Sequence, residues 1–564
     1  MENTYLCKKS PIVRRVFLTM LAPTILMNLT TAMASFADTV IIGRFLDDLA
    51  LSVVTYATPI YMIINTFAAL FAVGGCIASG IDSGKGNRDG ANKAFSLSIE
   101  LLSVFGLALT VGGILLKDLI PGWLGADSET SGRAVYEMVR GYATIITVCA
   151  PVFMLNIGLA FFVRNDGRPT LSMVGMFLSI IVNIIFDVIF IAWFDLGVAG
   201  AAYATVLGQL VSALVIATHF LSKKNTLKFS FTIGKDALRI VKNGGSTALH
   251  FVYQFLSILI INHLVTKLAG ANGVVVYTVV FNLYTVSLAL FEGISQTIQP
   301  MISLFYGERN YGKIKQTLSL ALVTIILICG SMTLALEVYP QLVPVIFGVE
   351  DVALIESSCV AVRIFSTSMI IMTVNVVIGY YLQSTERSFL SAVLVSLRCF
   401  VLFLGSVFFL GSAWGTNGIW ASYTVAEVLT FVIVIVFVLW QRCRLAQKGC
   451  ETNYLLLPKK VEERTYTYAF VDGEKKGFAN AVGEQLNTCS FSAGVIKNVD
   501  AYLNAVLAAA PGKSRKYLEV DIIAEEQKVI IRDNFDHSRI STDSLLDEKA
   551  EQDRSLGCHR LCVQ

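Results

Sequence analysis

Apolar runs separated by short polar gaps fill the chain up to about residue 443, after which the pattern becomes that of a water-soluble protein. A helix needs about 20 apolar residues to cross a bilayer. Twelve stretches reach that length, roughly 16–40, 49–79, 92–116, 138–163, 170–193, 198–221, 240–267, 273–303, 316–346, 354–381, 388–411 and 416–441. Lipid offers no hydrogen-bonding partner, so each crossing segment must satisfy its own backbone, which predicts an all-α membrane region.

Basic residues set its orientation. They gather near the N-terminus and in every second gap: Lys8, Lys9, Arg14 and Arg15, then Lys85, Arg88 and Lys93, then Arg164 and Arg168, and onward to Arg442 and Arg444. The alternate gaps hold few, chiefly Arg44, Lys117, Arg133 and Lys267. Positive charge marks the cytoplasmic side, so both termini are expected there, which an even number of spans requires. The chain also repeats itself with a period of about 220 residues, a parallel duplication of six spans that in transporters encloses a cavity between two halves. "VRNDGRPTLS" (163–172) faces "LQSTERSFLS" (382–391), and "GKGNRDGANK" (84–93) faces "YGERNYGKIK" (306–315). The expected domains are an amino lobe over 1–225, a carboxyl lobe over 226–445, a linker over 446–462 and a soluble domain over 463–564.

Composition narrows the class. The 564 residues are 55% hydrophobic and 15% charged, against about 25% charged in soluble proteins. A net charge of +3 and the lack of a basic, aromatic-interleaved run argue against a nucleic acid partner. Eleven scattered cysteines, without C-x-x-C or zinc spacing, read as small reduced hydrophobes. The start, "KKSPIVRRVFLTMLAPTILMNL", has a basic stretch before an apolar one but runs too long for a signal peptide and reads as an uncleaved first helix. No catalytic constellation stands out and no residue receives a catalytic role.

The polar residues inside the spans carry the chemistry. A carboxylate at the bilayer centre costs about 2.5–3.5 kcal/mol on insertion scales, so it must face the bundle interior. Asp38 lies in the first span, Asn183 and Asp187 in the fifth and Thr205 in the sixth. Asn183 and Asp187 are four apart and share a helix face. Two carboxylates, an amide oxygen and a hydroxyl form an all-oxygen set that suits a hard cation or a shared proton. The plain alternative is that Asp187 bridges two helices and Asp38 sits at the outer water boundary. Glu292 and Gln296 share a face of the eighth span, facing either a substrate cavity or the seam between lobes. Phe36, Tyr56, Tyr61 and Tyr277 are candidate walls of such a cavity. Pro23 makes the first helix bendable or merely kinked.

Several motifs carry a resemblance. "APTILMNLTTAMASFADTVIIGRFLDDLAL" (22–51), "NIIFD" (183–187), "DLGVAGAAYAT" (195–205) and "GISQTIQPMISLFYG" (293–307) resemble the multidrug and toxic compound extrusion (MATE) family over residues from about 10 to 443. The resemblance implies a twelve-helix, two-lobed antiporter that expels organic cations or other amphiphiles using Na⁺ or H⁺ as coupling ion, with no cofactor. It also implies that Asp38, Asn183, Asp187 and Thr205 match the amino-lobe cation site. Members with a carboxyl-lobe site carry acids in the seventh and tenth spans. Here the seventh holds His250, Gln254, Asn262 and His263, and the tenth only Glu356 at its outer edge. A related class, flippases of lipid-linked precursors, is an alternative with fourteen spans and a more cationic cavity. A bacterial inner membrane is the expected location.

The tail reads as strand, two helices and a hairpin, an α+β pattern. It resembles, weakly, the ATP-binding fold of histidine kinases and anti-sigma-factor kinases. Asp500 and Asn504 take the spacing of the Mg²⁺-holding Glu-x-x-x-Asn, Asp533 that of the adenine-reading Asp, and Gly557 that of a late glycine loop. The changed Glu and the missing glycine after Asp533 point to a degenerate regulatory module with a cytoplasmic protein partner. A membrane-tethered sensor that signals through this tail is the remaining alternative.

Overall fold

In a computed structural model of the chain, the described residues are 6–7, 9–46, 48–126, 132–230, 234, 236–459, 461, 464–470, 475–509, 518–533, 550–555 and 558–563. Among them, ten helices are long and apolar enough to cross a membrane, and two bent pairs pass the same test together. Counted as single spans, the pairs complete the twelve expected. The spans are α1 (Pro11–Phe45), α2 (Asp48–Lys85), α3 (Arg88–Leu115), α4 (Arg133–Val148 with Ala150–Asn165), α5 (Pro169–Trp193) and α6 (Gly197–Leu221). The second six are α7 (Ala237–Gly270), α8 (Asn272–Glu308), α9 (Tyr311–Val338), α10 (Val352–Ser366 with Met369–Ser384), α11 (Ser388–Trp414) and α12 (Thr416–Gln447). Leu322, Val323, Ile326, Leu327 and Leu334 of α9 are all exposed. Such a surface is stable only against lipid, so the chain is an integral membrane protein.

The two halves repeat in detail. The bends fall at the same place in each, 48° in α4 and 45° in α10. The first follows from Pro151, which has no N–H to donate. At the second, Thr367 and Ser368 turn their hydroxyls back onto the carbonyls of Ile364 and Phe365 at 2.8 and 2.7 Å. Ser172 donates to the Ala160 carbonyl at 2.9 Å, and Ser391 does the same to Gly379 at 2.9 Å. Asn87 caps α3 at Gly90 N, and Asn310 caps α9 at Lys313 N. Gly270, with φ 59° and ψ −152°, makes the sharp turn between α7 and α8 that a side chain would strain.

The lobes meet along a seam of glycines. A Cβ on Gly84 would lie 2.2 Å from the Leu304 carbonyl oxygen, and one on Gly307 2.1 Å from that of Ile81. The ends of α2 and α8 therefore touch backbone to backbone. Deeper in, Gly74 meets Ile240, Gly244 meets Leu70 and Gly293 meets Ile25 in the same way. Arg239 at the start of α7 holds both Asp82 oxygens of α2, at 2.7 and 3.0 Å, and Glu386 at 2.6 Å. Arg164, expected in a basic gap, instead lies buried in the last turn of α4, where it donates to Gln296 of α8 at 2.7 Å and stacks on Phe161.

Past α12 the joining segment lies against the carboxyl lobe instead of running free. Arg387 donates to the carbonyls of Leu455 and Leu456, Tyr381 donates to that of Leu455, and Leu457 and Val461 are buried. The soluble domain begins in the expected order, β1 (Thr465–Phe470), α13 (Lys475–Thr488), α14 (Ala493–Ala509), β2 (Leu518–Ile523) and β3 (Lys528–Asp533), and adds two strands that were not expected, β4 (Ala550–Ser555) and β5 (Cys558–Val563). The sheet is antiparallel in the order β1-β2-β3-β5-β4. Period-two alternation sends Tyr468, Val520, Ile522, Val529, Ile531 and Leu561 into a core with α13 and α14. The opposite face lies on the end of the bundle that bears most of the basic loops.

The seam predicts an asymmetry between glycines. Gly84→Val forces its side chain into backbone that cannot rotate away and should cost about 1–3 kcal/mol, read as a lower unfolding temperature in detergent. Gly112→Ala, where a Cβ meets nothing within 4 Å, should leave that temperature unchanged or raise it slightly.

Candidate cation and substrate sites

The amino-lobe set is built by two closely crossing helices. Gly208 of α6 lets that helix approach the Ser179 carbonyl of α5, where a Cβ would sit 2.5 Å from the oxygen. One turn further along α5, Asn183 and Asp187 face the same way and are 4% and 0% exposed. Asn183 Nδ2 donates to Thr205 Oγ1 at 3.3 Å, and Thr205 Oγ1 donates to the Ala201 carbonyl at 2.9 Å. Asn183 Oδ1 accepts no hydrogen bond among the described residues. Immediately after Asp187 and Val188 the helix widens into a π-turn over Ile189–Trp193, a distortion frequent at functional sites. A buried carboxylate thus shares a helix face with an amide that bonds a hydroxyl of α6, donor chemistry that fits a hard monovalent cation or a proton.

Asp38 lies in α1, which packs along α5. The side chains of Asp38 and Phe36 are outside the described residues. Pro23 sits inside α1, which remains a single helix through it, two residues before the Ile25 contact with Gly293 at the seam. Tyr56 and Tyr61 pack against the amino lobe's own core, Tyr61 sharing a 3.1 Å hydroxyl contact with Tyr142 and an edge contact with Phe153.

The carboxyl lobe holds a polar centre of its own. Arg398 of α11 bonds Glu427 of α12 through Nε at 3.0 Å and Nη2 at 2.9 Å. Asn375 of α10 donates to the other Glu427 oxygen at 2.7 Å. Two small cavities open beside this pair, both lined by His250 and Arg398. Tyr277, Tyr284 and Tyr423 wall one, of about 50 Å³. Glu292 and Tyr380 wall the other, of about 30 Å³. Tyr277 and Glu292 are therefore cavity residues. Gln296 belongs to the seam, holding Asn28 at 3.2 Å as well as Arg164. Arg398 and Glu427 escaped the sequence reading, although each is a lone charge in an apolar run, the same signal that singled out Asp187.

In the soluble domain, Asp500 is half-buried, and burial pushes its carboxyl above the ordinary value. Asn504 is exposed. Asp533 is fully buried and accepts from the Tyr502 hydroxyl at 3.1 Å, so at least one of its oxygens is committed within the domain. Gly557 lies outside the described residues. Among the described residues no group of three or more His, Cys, Asp and Glu is placed to hold a metal ion.

A two-lobed bundle of helices with buried charge centres in both lobes is the architecture of a membrane transporter. The family model described as MatE matches residues 23–189 and 246–410, one stretch in each lobe, and the chain belongs to that family. It is 24% identical over 395 residues to the multidrug export protein MepA of Staphylococcus saprophyticus, covering 68% of this chain and 84% of that one. A Staphylococcus aureus MepA is likewise 24% identical, over 392 residues, with the same coverage. Among solved structures, an outward-facing conformation of a multidrug resistance MATE family transporter of the MOP superfamily aligns with a TM-score of 0.71 at 21% identity, covering 77% of this chain and 96% of that chain.

The Arg398–Glu427 pair makes a quantitative expectation. Removing one partner of a buried pair strands the other charge, at a cost of about 3–5 kcal/mol. Arg398→Met and Glu427→Leu should each lower the unfolding temperature strongly, and the double variant should recover much of the loss. A double-mutant cycle in detergent measures this.

Proposed function

We propose that the chain is a cation-coupled antiporter that exports organic cations or other amphiphilic compounds and returns Na⁺ or H⁺ inward. The observation that carries this reading is the buried Asp187, one turn along α5 from an Asn183 that bonds Thr205 of α6. Asp38 would complete the set from α1. The charge of the basic gaps supports a reading with both termini in the cytoplasm, in a bacterial inner membrane. The contacts between Gly84, Gly307 and their partners then close the cytoplasmic end.

In this mechanism the lobes 1–225 and 226–445 rock as units. With the cytoplasmic end open, the cationic substrate binds near the carboxylates while they are protonated or free of ion. The lobes then reverse. The ion arriving from outside competes for the same carboxylates and displaces the substrate. Coupling is mutual exclusion, a negative linkage between two ligands. Pro23 would act at the seam by leaving the α1 backbone short of a hydrogen bond, which lowers the cost of bending there. Glu292 and Tyr277 would offer a second, carboxyl-lobe wall to a cation. The name of the MepA relatives, multidrug export protein, supports the substrate class.

The flippase alternative calls for a more cationic cavity. Arg398 is paired with Glu427 beside both cavities, so this centre carries no unmatched guanidinium, which favours the exporter. The degenerate tail residues Asp500, Asn504, Asp533 and Gly557 are read as regulatory, not as a working nucleotide site.

Efflux of ethidium, followed in cells and inverted vesicles with Na⁺ and pH gradients imposed separately, tests the proposal. Asp187→Asn and Asp38→Asn should each reduce efflux to background, with one gradient alone driving the unmodified protein. Unimpaired efflux in both variants would sink the amino-lobe site and move the coupling to Glu292.

A further inference from the structure

The face of the sheet that turns away from α13 and α14 carries charge where a soluble sheet would carry either apolar or exposed residues. Glu519, Asp521, Lys528, Arg532 and Arg560 lie on it, and all are between 0% and 4% exposed. Their partners are on the bundle. Lys313, at the start of α9, reaches Asp521 at 2.5 Å and also pairs with Glu519. Glu308, the last residue of α8, forms ion pairs with Arg532 and with Arg560, whose Nε lies 3.0 Å away. Burial alone would push the Asp521 carboxyl up, but the charges of Lys313 and Arg532, with hydrogen bonds from Lys313 and Thr467, hold it below the ordinary range.

These are carboxyl-lobe contacts. The same side chains also reach the amino lobe. Arg560 Nη1 donates to the Ser83 carbonyl at 2.7 Å and Nη2 to that of Gly84 at 2.9 Å. Lys528 adds a longer bond of 3.4 Å to Gly84. Those are carbonyls of the last turn of α2, the end of the helix that carries partial negative charge; that of Ser83 also accepts from Gly86 N at 3.1 Å. Ser10, the cap of α1, donates to Glu519. A single guanidinium, that of Arg560, thus forms an ion pair with Glu308 in one lobe and hydrogen bonds with the end of α2 in the other. It does so at the place where Gly84 and Gly307 bring the two helices into contact.

We propose that the soluble domain is a removable latch across the seam of the two lobes, and that the basic end of the transporter opens only when its sheet lifts from at least one of them. This rests on the alternating-access reading above. Separating the ends of α2 and α8 breaks either the Arg560–Glu308 ion pair or the Arg560 bonds to Ser83 and Gly84, because one planar group cannot follow both. Docking therefore favours the state closed at the basic end. By linkage, anything that displaces the sheet favours the opposite state.

The test is hydrogen–deuterium exchange on the full chain in detergent, without substrate, comparing the unmodified protein with Arg560→Gln, Lys528→Met and the surface control Glu525→Gln. The peptides to follow are 78–88 and 300–310 at the basic end, and 48–57 and 272–280 at the opposite ends of the same two helices. Release should raise exchange at the basic end by about tenfold, within the usual span of coupling between sites. It should lower exchange at the opposite end at the same time. If Arg560→Gln also loosens the domain, read as lost protection over 518–533, the sheet has lifted and the same opposite movement is required. No change, or a rise at the basic end without a fall at the other, overturns the latch. Because no substrate is involved, a failed efflux assay with the reciprocal movement intact would count against the exporter reading and leave the latch standing.

Discussion

Lipid has no hydrogen bonds to give, and this constraint orders the whole membrane region. Every polar group inside the bundle needs a partner within the protein. The hydroxyls of Thr24, Thr30, Thr66, Thr147, Ser287 and Thr317 meet it by bonding the carbonyl four residues back. The charges meet it by pairing, as Arg398 does with Glu427. A residue that could be apolar but is a carboxylate therefore marks a place where something has to be bound, moved or braced. Asp187 is such a residue in the amino lobe, and Glu292, at a cavity wall beside a guanidinium already matched, is one in the carboxyl lobe.

The seam works by the opposite means. Where the lobes touch, side chains have been removed and backbone meets backbone at Gly74, Gly84, Gly244, Gly293 and Gly307. Contacts of this kind are close but largely apolar, so separating two helices there exposes little that water or lipid cannot accommodate. Among the described residues the directional contacts are few: Arg239 with Asp82, Arg164 and Asn28 with Gln296, Ser10 with Gln316, and the soluble domain laid across the end. A joint between rigid units needs that combination, with tight fit and a small number of bonds to break.

Span number and lobe duplication were legible because each rests on local signals, the length of an apolar run and the recurrence of short motifs. The first three strands and both helices of the tail were legible for the same reason, while β4 and β5 were not. Other features depend on partners far away in sequence. Lys313 and Arg164 look like ordinary loop bases until the sheet covers the first and α8 meets the second. Tyr56 and Tyr61 look like cavity walls in the sequence, which does not show that both also pack, half-buried, against the amino lobe's core. The segment 446–462 has the polarity of a linker, yet Arg387 and Tyr381 hold its carbonyls. Arg398 and Glu427 were visible as lone charges, but only their approach to within 3.0 Å shows them as a pair.

The outermost edge of the sheet is finished by the beginning of the chain. Cys7 N donates to the Thr467 carbonyl at 2.9 Å, and Leu6 bridges Tyr468. Residues synthesised early thus wait through the insertion of twelve spans before the strand that receives them exists. During synthesis this edge contact can form only late, and it closes a very long loop, whose entropic cost grows slowly with length. Once made, it ties residues 6–7 ahead of α1 to a strand beyond α12, so the polypeptide of this transporter forms a loop closed by backbone hydrogen bonding.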